Sequence, residues 1–396
     1  MYFAAFILKN LTRRPVRTAL TVLGLAVAVG SMIALLAVSY NVERSVESAF
    51  DVRRVDLVVM QKGKPFGLDS EFSERLVAAT RAMPEVERVS EGLVGNANVY
   101  RDSGTVDNDI ILVQGWKPDN FGYEDMELIE GRLLQPGDQH KVIIGRILAG
   151  NLRDKGNVGH NVGQKLRFVG DPDNPYEIVG IFKSRVVFEE GGAVVPFDDG
   201  QTLHTKPGKV TGFSVRVKKG GPDSTAEVEA VRQQIEALRD AKDPTVRLVA
   251  NPPDKYVEQV SQLQLIRAIT WLVSAIAFAV GTITMMNTMA MSVLERTHEI
   301  GILRAVGWPR FRVIRMILGE AAMIALGATL MGVVIAFVGM QSLTLSPKVN
   351  GFIEPDLSLV VILKGAAITL LIGLIGGAYP AYRAARLLPT EALRHD

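Results

Sequence analysis

The sequence predicts an α-helical membrane protein with four transmembrane helices and a large, two-lobed extracytoplasmic α+β domain between the first and second helices. Four runs of about 18 to 27 residues without a charge predict the helices, because roughly 20 apolar residues cross a hydrocarbon core. The spacing of the runs predicts the domain. Residues 43–267 separate the first run from the second, whereas the other three lie in the last third of the chain.

The chain divides into consecutive predicted segments. They are a cytoplasmic interfacial amphipathic helix (1–17), transmembrane helix 1 (18–42), stalk helices with the extracytoplasmic core domain (43–267), transmembrane helix 2 (268–294), a charged cytoplasmic segment (295–315), transmembrane helix 3 (316–345), a short extracytoplasmic loop (346–357), transmembrane helix 4 (358–382) and a cytoplasmic tail (383–396).

The distribution of basic residues predicts the orientation. Lys and Arg cluster before the first span, between the second and third spans, and after the fourth, whereas Lys348 alone marks the loop between the third and fourth. Cytoplasmic loops carry the excess of positive charge, so both termini are expected in the cytoplasm and the large domain outside. A cleavable signal peptide is the alternative for the N-terminus, but its apolar core holds only about 7 to 15 residues.

The first residues suggest a helix lying in the membrane interface. Phe3, Phe6, Ile7 and Leu11 fall near one face, and Pro15 is expected to end the helix before the first span. A plain basic tail is the alternative.

Both connections to the outer domain are predicted to be rigid helices rather than flexible linkers. Apolar residues continue at helical spacing beyond the first span and recur before the second, after the stop signal Asn251-Pro252-Pro253. These residues are Val42, Val46, Ala49 and Phe50 on the outgoing side, and Val257, Val260 and Leu263 on the returning side.

Within the outer domain the hydrophobic period alternates between the helical and the strand type. Helices are predicted over 70–82 and from Ser224, and strands over 109–115, 141–145, 176–182, 210–218 and 245–250. This mixture predicts an α+β domain.

Motifs typical of catalysis and of ligand binding are absent from the sequence. The five histidines have no metal-ligand spacing, and neither a G-x-S-x-G elbow nor a G-x-x-x-x-G-K-[ST] phosphate loop occurs. The stretch from Asp171 to Glu177 lacks the Gly and Glu of a calcium loop and is interpreted as a solvent turn. Basic residues are explained by topology, so nucleic acid is not expected as a partner. The sequence therefore predicts a non-catalytic chain without catalytic, cofactor-binding or metal-binding residues.

The predicted spans contain few polar residues. Asn287 in the second span is expected to make an interhelical hydrogen bond, and Glu320 near the cytoplasmic end of the third span is expected to pair locally or to snorkel. No ladder of ionisable residues crosses the membrane, which argues against an ion-coupled carrier or a channel. Small residues at four-residue spacing predict close helix packing, and they are Ala328, Gly332, Ala336, Gly373 and Gly377.

The charged segment between the second and third spans predicts a short helix that ends at Gly307, beside Trp308 and Pro309. A solvated turn between two spans would need only a few residues and no pattern. A docking element for a soluble partner explains more of this segment.

This segment resembles the coupling loop of the MacB/FtsX-like ABC transporter permeases, which follows the pattern E-R-x-x-E-I-G-x-x-R-A-x-G. The residues that match are Glu295, Arg296, Glu299, Ile300, Gly301, Arg304, Ala305 and Gly307. The stretches LKNLTRRPVRTALTVLGL (8–25) and GGAYPAYRAARLLPTEALR (376–394) are similar to the ends of that family. EGRLLQPGD, VIIGRILA, VGQKLRF, YEIVGIF and AVVPFDDGQ resemble successive blocks of the MacB-type periplasmic core.

The resemblance implies a homodimer of four-span subunits that binds two ABC ATPase subunits in a 2:2 complex. ATP and Mg²⁺ would bind to the ATPase, which is expected to be a separate protein, and this chain would hold no cofactor. In that family ATP-driven closure of the ATPases moves the spans and stalks, a mechanism called mechanotransmission. A bacterial cytoplasmic (inner) membrane, surrounding membrane lipid and a periplasmic adaptor, lipoprotein or outer-membrane partner belong to the same expectation.

Two function classes follow from the resemblance. The first is a permease that exports or extracts an amphiphilic cargo, such as a lipid, lipoprotein, haem-like compound, peptide or antibiotic. The second is an FtsX-like transmembrane regulator of an envelope enzyme such as a cell-wall hydrolase, and the large outer domain favours the first. A ligand sensor without an ATPase is a third class, which the coupling-loop pattern argues against.

Overall fold

The computed structural model describes residues 15–64, 69–100, 104–106, 110–154, 160–218, 225–240, 243–344 and 357–387. The predicted interfacial helix, most of the loop over 346–357 and most of the C-terminal tail lie outside these ranges. The chain forms two compact units. The membrane unit comprises residues 1–40, 267–343 and 354–396, and the outer unit comprises residues 41–266 and 344–353.

The helices are α1 (Pro15–Val52), α2 (Glu74–Arg81), α3 (Arg146–Asp154), α4 (Val187–Glu190), α5 (Phe197–Leu203), α6 (Thr225–Ala237), α7 (Pro253–Gln259), α8 (Ser261–Glu295), α9 (Thr297–Ala305), α10 (Arg310–Thr344) and α11 (Leu359–Ala385). The strands are β1 (Leu57–Gln61), β2 (Phe72–Ser73), β3 (Val86–Ala97), β4 (Ile111–Trp116), β5 (Glu127–Gly131), β6 (Lys141–Gly145), β7 (Lys165–Phe168), β8 (Asp171–Lys183), β9 (Ala193–Pro196), β10 (Lys209–Val210), β11 (Gly212–Val217) and β12 (Leu248–Asn251). A 3₁₀ turn spans Phe121–Glu124.

Four of these helices are long and apolar enough to cross a membrane, which confirms the predicted fold class. The candidate spans within the described residues are Thr18–Val52, Leu263–Glu295, Arg310–Leu343 and Leu359–Ala385. An isolated helix satisfies its own backbone hydrogen bonds, which a hydrocarbon environment requires.

Glycine allows α1 and α10 to approach closely. A Cβ atom added to Gly30 would lie 2.9 Å from the backbone oxygen of Gly332, and one added to Gly332 would lie 3.2 Å from the backbone oxygen of Ala26. The predicted small residues Ala328 and Ala336 lie buried on α10. Without a hydrophobic driving force in lipid, such close contact is a main source of helix association.

The same arrangement recurs between α10 and α11. A Cβ atom on Gly373 would lie 3.1 Å from the backbone oxygen of Ala321, and one on Gly377 would lie 2.9 Å from the Ala321 side chain. The structure thus places the two predicted glycines of α11 against Ala321 and Ala325 of α10.

One mixed sheet runs through the outer unit, in the order β12-β1-β11-β3-β4-β9-β6-β8-β5, and β7 pairs with β8. Most neighbouring strands are antiparallel, whereas β4 and β9 are parallel and β6 and β8 are parallel. The parallel pairing of Val113 with Ala193 and of Gly115 with Val195 joins the two halves of the sheet.

Each half of the sheet carries its own hydrophobic core. The first core includes Leu57, Val59, Leu76, Phe213, Val231 and Ile235, and the second includes Val113, Ile144, Leu148, Phe168, Tyr176 and Ile178. Helix α5 contributes to both, with Phe197 in the first core and Leu203 in the second. The two lobes are therefore two cores on one continuous sheet.

The structure corrects three sequence-based expectations. Asp171 to Glu177 is not a solvent turn, because it opens β8 and the hairpin turn lies before Asp171. The predicted helix over 70–82 is shorter, since Phe72 and Ser73 form β2 and pair with β10. The returning connection is not one helix, because Val260 is extended (φ −63°, ψ 115°) and separates α7 from α8. Hydrophobic period alone does not reveal a break of one residue.

Candidate coupling segment and stalk joint

The eight residues of the predicted docking pattern lie at the junction of α8, α9 and α10. Glu295 ends α8 and Arg296 is the N-cap residue of α9. Gly307 has a φ of +96°, a conformation that glycine adopts without strain. Glu299, Ile300, Gly301, Arg304 and Ala305 lie on α9.

The C-terminal end of α9 is closed by hydrogen bonds. The amide of Trp308 donates to the Leu303 carbonyl at 3.0 Å, and the amide of Gly307 donates to the Arg304 carbonyl at 3.1 Å. The Arg304 guanidinium donates to the Trp308 carbonyl at 2.8 Å. Carbonyls at a helix end otherwise lack partners, so these contacts define the turn into α10.

A buried ion pair anchors the segment to α10. Arg296 Nη1 donates to Glu320 Oε1 at 2.8 Å, and Glu320 is 3% exposed. The same guanidinium donates from Nε to Glu299 at 3.2 Å. Burial alone would lower the pKa of Arg296, but Glu320 and Glu299 raise it above its ordinary value. The predicted local pairing of Glu320 is thus confirmed, with Arg296 as its partner.

The segment presents one buried and one exposed face. Ile300 and Gly301 are buried. Ile302, Val306 and Phe311 are exposed, and Val306 is 77% exposed. Sequence analysis assigned Val306 to the short helix but did not single out Ile302 or Phe311, because a short helix beside two spans gives no clear period.

A second cluster of charges lies in the outer unit, directly after the end of α1. Arg53 Nε donates to Asp125 Oδ1 at 2.6 Å, and its two terminal nitrogens donate to Glu189 at 3.0 and 2.8 Å. The Asp125 side chain is only 1% exposed. We call Arg53, Asp125 and Glu189 the stalk joint.

Arg216 supports the stalk joint from β11. Its guanidinium donates to the Arg53 carbonyl at 2.9 Å, pairs with Glu124 and lies 4.0 Å from the centroid of the Phe121 ring. The residue that follows α1, Arg53, is therefore bound through its backbone carbonyl as well as through its side chain. Sequence reasoning missed this cluster, since its members are far apart along the chain.

The stalk joint carries one positive and two negative charges. Burial raises the pKa of Asp125, and the charge of Arg53 only partly offsets this effect. Asp125 Oδ2 is buried and has no hydrogen-bond partner among the described residues. The positive charge of Arg53 thus offsets the energetic cost of burying the carboxylates of Asp125 and Glu189.

Two further predictions concern Asn287 and metals. Asn287 is exposed on α8 and makes no hydrogen bond to the described residues of its own chain. Its expected interhelical bond is therefore not made within this part of the chain. Across the described ranges, no cluster of three or more His, Asp or Glu side chains could hold a metal ion.

Comparison with known proteins defines the family. A model of the MacB-like periplasmic core domain matches residues 18–238, and a model of the FtsX-like permease C-terminal domain matches residues 271–389. The chain belongs to the MacB-like ABC transporter permeases. Four apolar helices and membership of this family indicate an inner-membrane protein with a periplasmic domain.

Relatives cover most of this permease chain. An uncharacterized ABC transporter permease of Methanocaldococcus jannaschii is 26% identical over 99% of this chain and 97% of its own length. The macrolide export ATP-binding/permease protein MacB of Agrobacterium fabrum is 30% identical over 96% of this chain, which spans 58% of that protein. The periplasmic region of MacB from Actinobacillus actinomycetemcomitans superposes with a TM-score of 0.39, at 13% identity over 53% of this chain and 96% of that one.

We expect Arg53→Met to destabilise the permease by about 3–5 kcal/mol, because it leaves Asp125 and Glu189 buried without a cation. The control is Arg232→Met, which removes an arginine whose partners Glu229 and Glu236 both remain partly exposed to water, and it should cost less than about 1 kcal/mol. Chemical unfolding of the full chain in nanodiscs measures both. Equal losses in the two variants would contradict a special role of Arg53.

The pH dependence of the same variant has a defined sign. Without Arg53 the pKa of Asp125 rises further above its ordinary value of 3.8, so the folded state binds more protons than the unfolded state. The stability of Arg53→Met should therefore recover as the pH falls from about 7 to about 5. A variant that becomes still less stable on this acidification would contradict the assignment.

We expect Glu320→Gln to lower the free energy of unfolding by about 2 kcal/mol, because it removes the buried negative charge that pairs with the Arg296 guanidinium. Glu299→Gln is the matched control, since it alters a half-exposed partner of the same arginine and should cost less than about 0.5 kcal/mol. Thermal unfolding in nanodiscs compares them. If the control is the more costly change, Glu320 is not the anchor.

Proposed function

We propose that this chain is the permease subunit of an ABC transporter that works by mechanotransmission. A cytoplasmic ATPase would dock on the segment around α9 and drive movement of the periplasmic domain, which exports or extracts an amphiphilic cargo. The observation that carries this proposal is the anchored α9 segment, whose buried face is fixed to α10 through Arg296 and Glu320 while its other face is exposed.

The exposed face of α9 has the character of a docking surface. The α9 segment exposes apolar side chains at Ile302 on α9, at Val306 directly after it and at Phe311 at the start of α10, and it also exposes the carboxylate of Glu299. Protein interfaces combine an apolar centre with a polar rim. A force that the ATPase exerts on α9 would also reach α10, because the buried ion pair of Arg296 with Glu320 connects the two helices.

ATP chemistry is assigned to the partner. The sequence has no phosphate-binding loop of the G-x-x-x-x-G-K-[ST] type, so ATP and Mg²⁺ would bind to the ATPase. The relative from Agrobacterium fabrum is named as an ATP-binding/permease protein for macrolide export, which supports the pairing of this permease type with ATP use.

Helix α1 and the stalk joint support a mechanical role. α1 continues without interruption for 38 residues, which corresponds to about 57 Å at about 1.5 Å per residue. This exceeds the roughly 30 Å of a hydrocarbon core. Its C-terminal end, within the outer unit, is held by the bidentate contact of Arg53 with Glu189 and by the contact of Arg216 with the Arg53 carbonyl.

A homodimer in a 2:2 complex with the ATPase completes the proposal. Asn287 supports it, because a side-chain amide in the interior of an apolar span is costly when it faces lipid. A second copy of α8 would offer the same amide as a hydrogen-bond partner across a two-fold axis. We further propose cytoplasmic termini and a periplasmic adaptor, lipoprotein or outer-membrane protein as the outer partner.

The docking proposal predicts that Glu299→Lys reduces the amount of ATPase that co-purifies with the permease at least tenfold, because it reverses a charge on the proposed surface. Purification from the native membrane in gentle detergent, followed by quantitative mass spectrometry, measures the ratio. Glu87→Lys is the control, since it reverses an exposed charge in the outer domain. An ATPase recovered in equal amount with the Glu299 variant would remove α9 as the docking site. Recovery of no ATPase with the native chain would remove the proposed function itself.

The dimer proposal predicts that Asn287→Leu weakens self-association. An interhelical hydrogen bond in a membrane contributes about 0.6–2 kcal/mol, so the association constant of the dimer should fall about three- to thirtyfold. Sedimentation of the purified permease in detergent, without the ATPase, measures this constant. Met291→Leu, an apolar exchange at another exposed position of α8, serves as the control. An unchanged dimer constant in Asn287→Leu would place Asn287 outside the interface.

A further inference from the structure

The outer unit contains a cavity of about 510 Å³ that the docking proposal does not use. One wall is a face of the sheet formed by β1, β11, β3 and β4, and the opposite wall is formed by the outer ends of α1 and α8 with α4 and α7. All of its lining residues belong to the outer unit. Its volume lies within the range of about 300–1,000 Å³ that is typical of small-molecule sites.

The sequence creates this space by placing small side chains on one face of the sheet. Ser90, Gly92, Gly212 and Ser214 lie on that face, in neighbouring strands β3 and β11. A Cβ atom added to Gly92 would have no neighbouring atom within 4 Å. The opposite face of the same strands carries the large apolar residues of the first core. One face of the sheet is therefore tightly packed, whereas the other leaves space for the cavity.

The walls of the cavity are rich in aromatic carbon. Its aromatic residues include Phe50, Trp116, Phe121, Phe188 and Tyr256. Phe50 and Tyr256 form an edge-to-face pair with ring centroids 5.6 Å apart. Such walls bind apolar molecules through the area that they remove from water.

One polar group in the cavity has unused hydrogen-bonding capacity. Gln114 is buried, and its Oε1 accepts a hydrogen bond from Trp116 Nε1 at 3.2 Å. This contact fixes the amide orientation and leaves Nε2 as a donor without a partner among the described residues. A donor that is open to the cavity can bind water there, and a ligand that displaces this water has to supply an acceptor in its place.

The charges of the lining cancel one another. Arg53 and Glu189 are the charged residues among its described lining, and they bind each other at 2.8 Å. A charged ligand would therefore lose its hydration without gaining a free counter-charge. The cavity favours an uncharged ligand over an anion or a cation.

We propose that this cavity binds an uncharged, mainly apolar molecule that accepts a hydrogen bond from Gln114, such as a neutral acyl ester. The proposal deepens the proposed function, on which it rests for the view that the bound molecule is cargo. Binding itself needs neither the ATPase nor nucleotide.

The test uses the full chain in nanodiscs and the tryptophan that lines the cavity. The chain has three tryptophans, so Trp271→Phe with Trp308→Phe leaves Trp116 as the only one. The probes are 1-octanoylglycerol, which is uncharged, and octyl sulfate and octyltrimethylammonium, which carry a charge on the same chain length. We expect a saturable change of Trp116 emission with octanoylglycerol and at least tenfold weaker responses with both charged probes.

Filling the cavity supplies the decisive variant. Gly92→Leu should weaken octanoylglycerol binding at least tenfold, because its side chain enters the open space next to β3. Gly150→Leu is the matched control, since a Cβ atom at Gly150 also meets open space but lies on α3, outside the cavity. Gln114→Leu, a second variant that keeps the side-chain size, should weaken binding of the ester while the circular dichroism spectrum stays native.

The outcomes separate the two proposals. A response that does not saturate, that is equal for charged probes or that survives in both Gly92→Leu and Gln114→Leu would overturn the cavity as a binding site, whatever the ATPase does. Saturable binding that Gly92→Leu abolishes, in a permease that recovers no ATPase from its native membrane, would support the site and overturn the transport proposal alone.

Discussion

The Arg53 guanidinium is the interaction on which the outer unit depends most. It binds two buried carboxylates that come from separate parts of the chain, the 3₁₀ turn before Asp125 and the short helix that holds Glu189. Neither carboxylate could stay buried without it, since an unpaired charge in a low-dielectric interior costs several kcal/mol. One side chain thus fixes the end of α1, the cavity wall at α4 and the turn beside Phe121.

The membrane unit depends on a different constraint, the close approach of backbones. Gly332 on α10 and Gly373 on α11 let α10 approach the backbone of α1 on one side and that of α11 on the other. Arg296 and Glu320 then fix α9 to the same helix. α10 is therefore the element that joins the small-residue packing of the spans to the proposed docking surface. A displacement of α9 reaches α10 through a buried ion pair, rather than through a flexible loop.

Patterns that act over a few residues could be predicted from the sequence. Long apolar runs predicted the spans, a short apolar run predicted strand β6, and Gly307 marked the end of α9. Contacts between distant residues could not be predicted. Arg53 and Glu189 are separated by 136 positions, and charged residues of this kind resemble an ordinary solvated surface in the sequence. The cavity was hidden for a similar reason, since alternating small residues in β3 are also typical of a strand face exposed to water. The break at Val260 was missed because its neighbours keep a helical period.

The continuity of the outer sheet has a consequence for how this domain deforms. Its two cores share hydrogen-bonded strands from β12 to β5, and the junction between β4 and β9 is paired like the rest of the sheet. Relative rotation of the lobes would have to break or shear this ladder, so the domain lacks the soft hinge that separate lobes would have. The domain should therefore deform elastically as one sheet when a force acts on it. A displacement imposed at one edge of the sheet, β12, should then also move the opposite edge, β5.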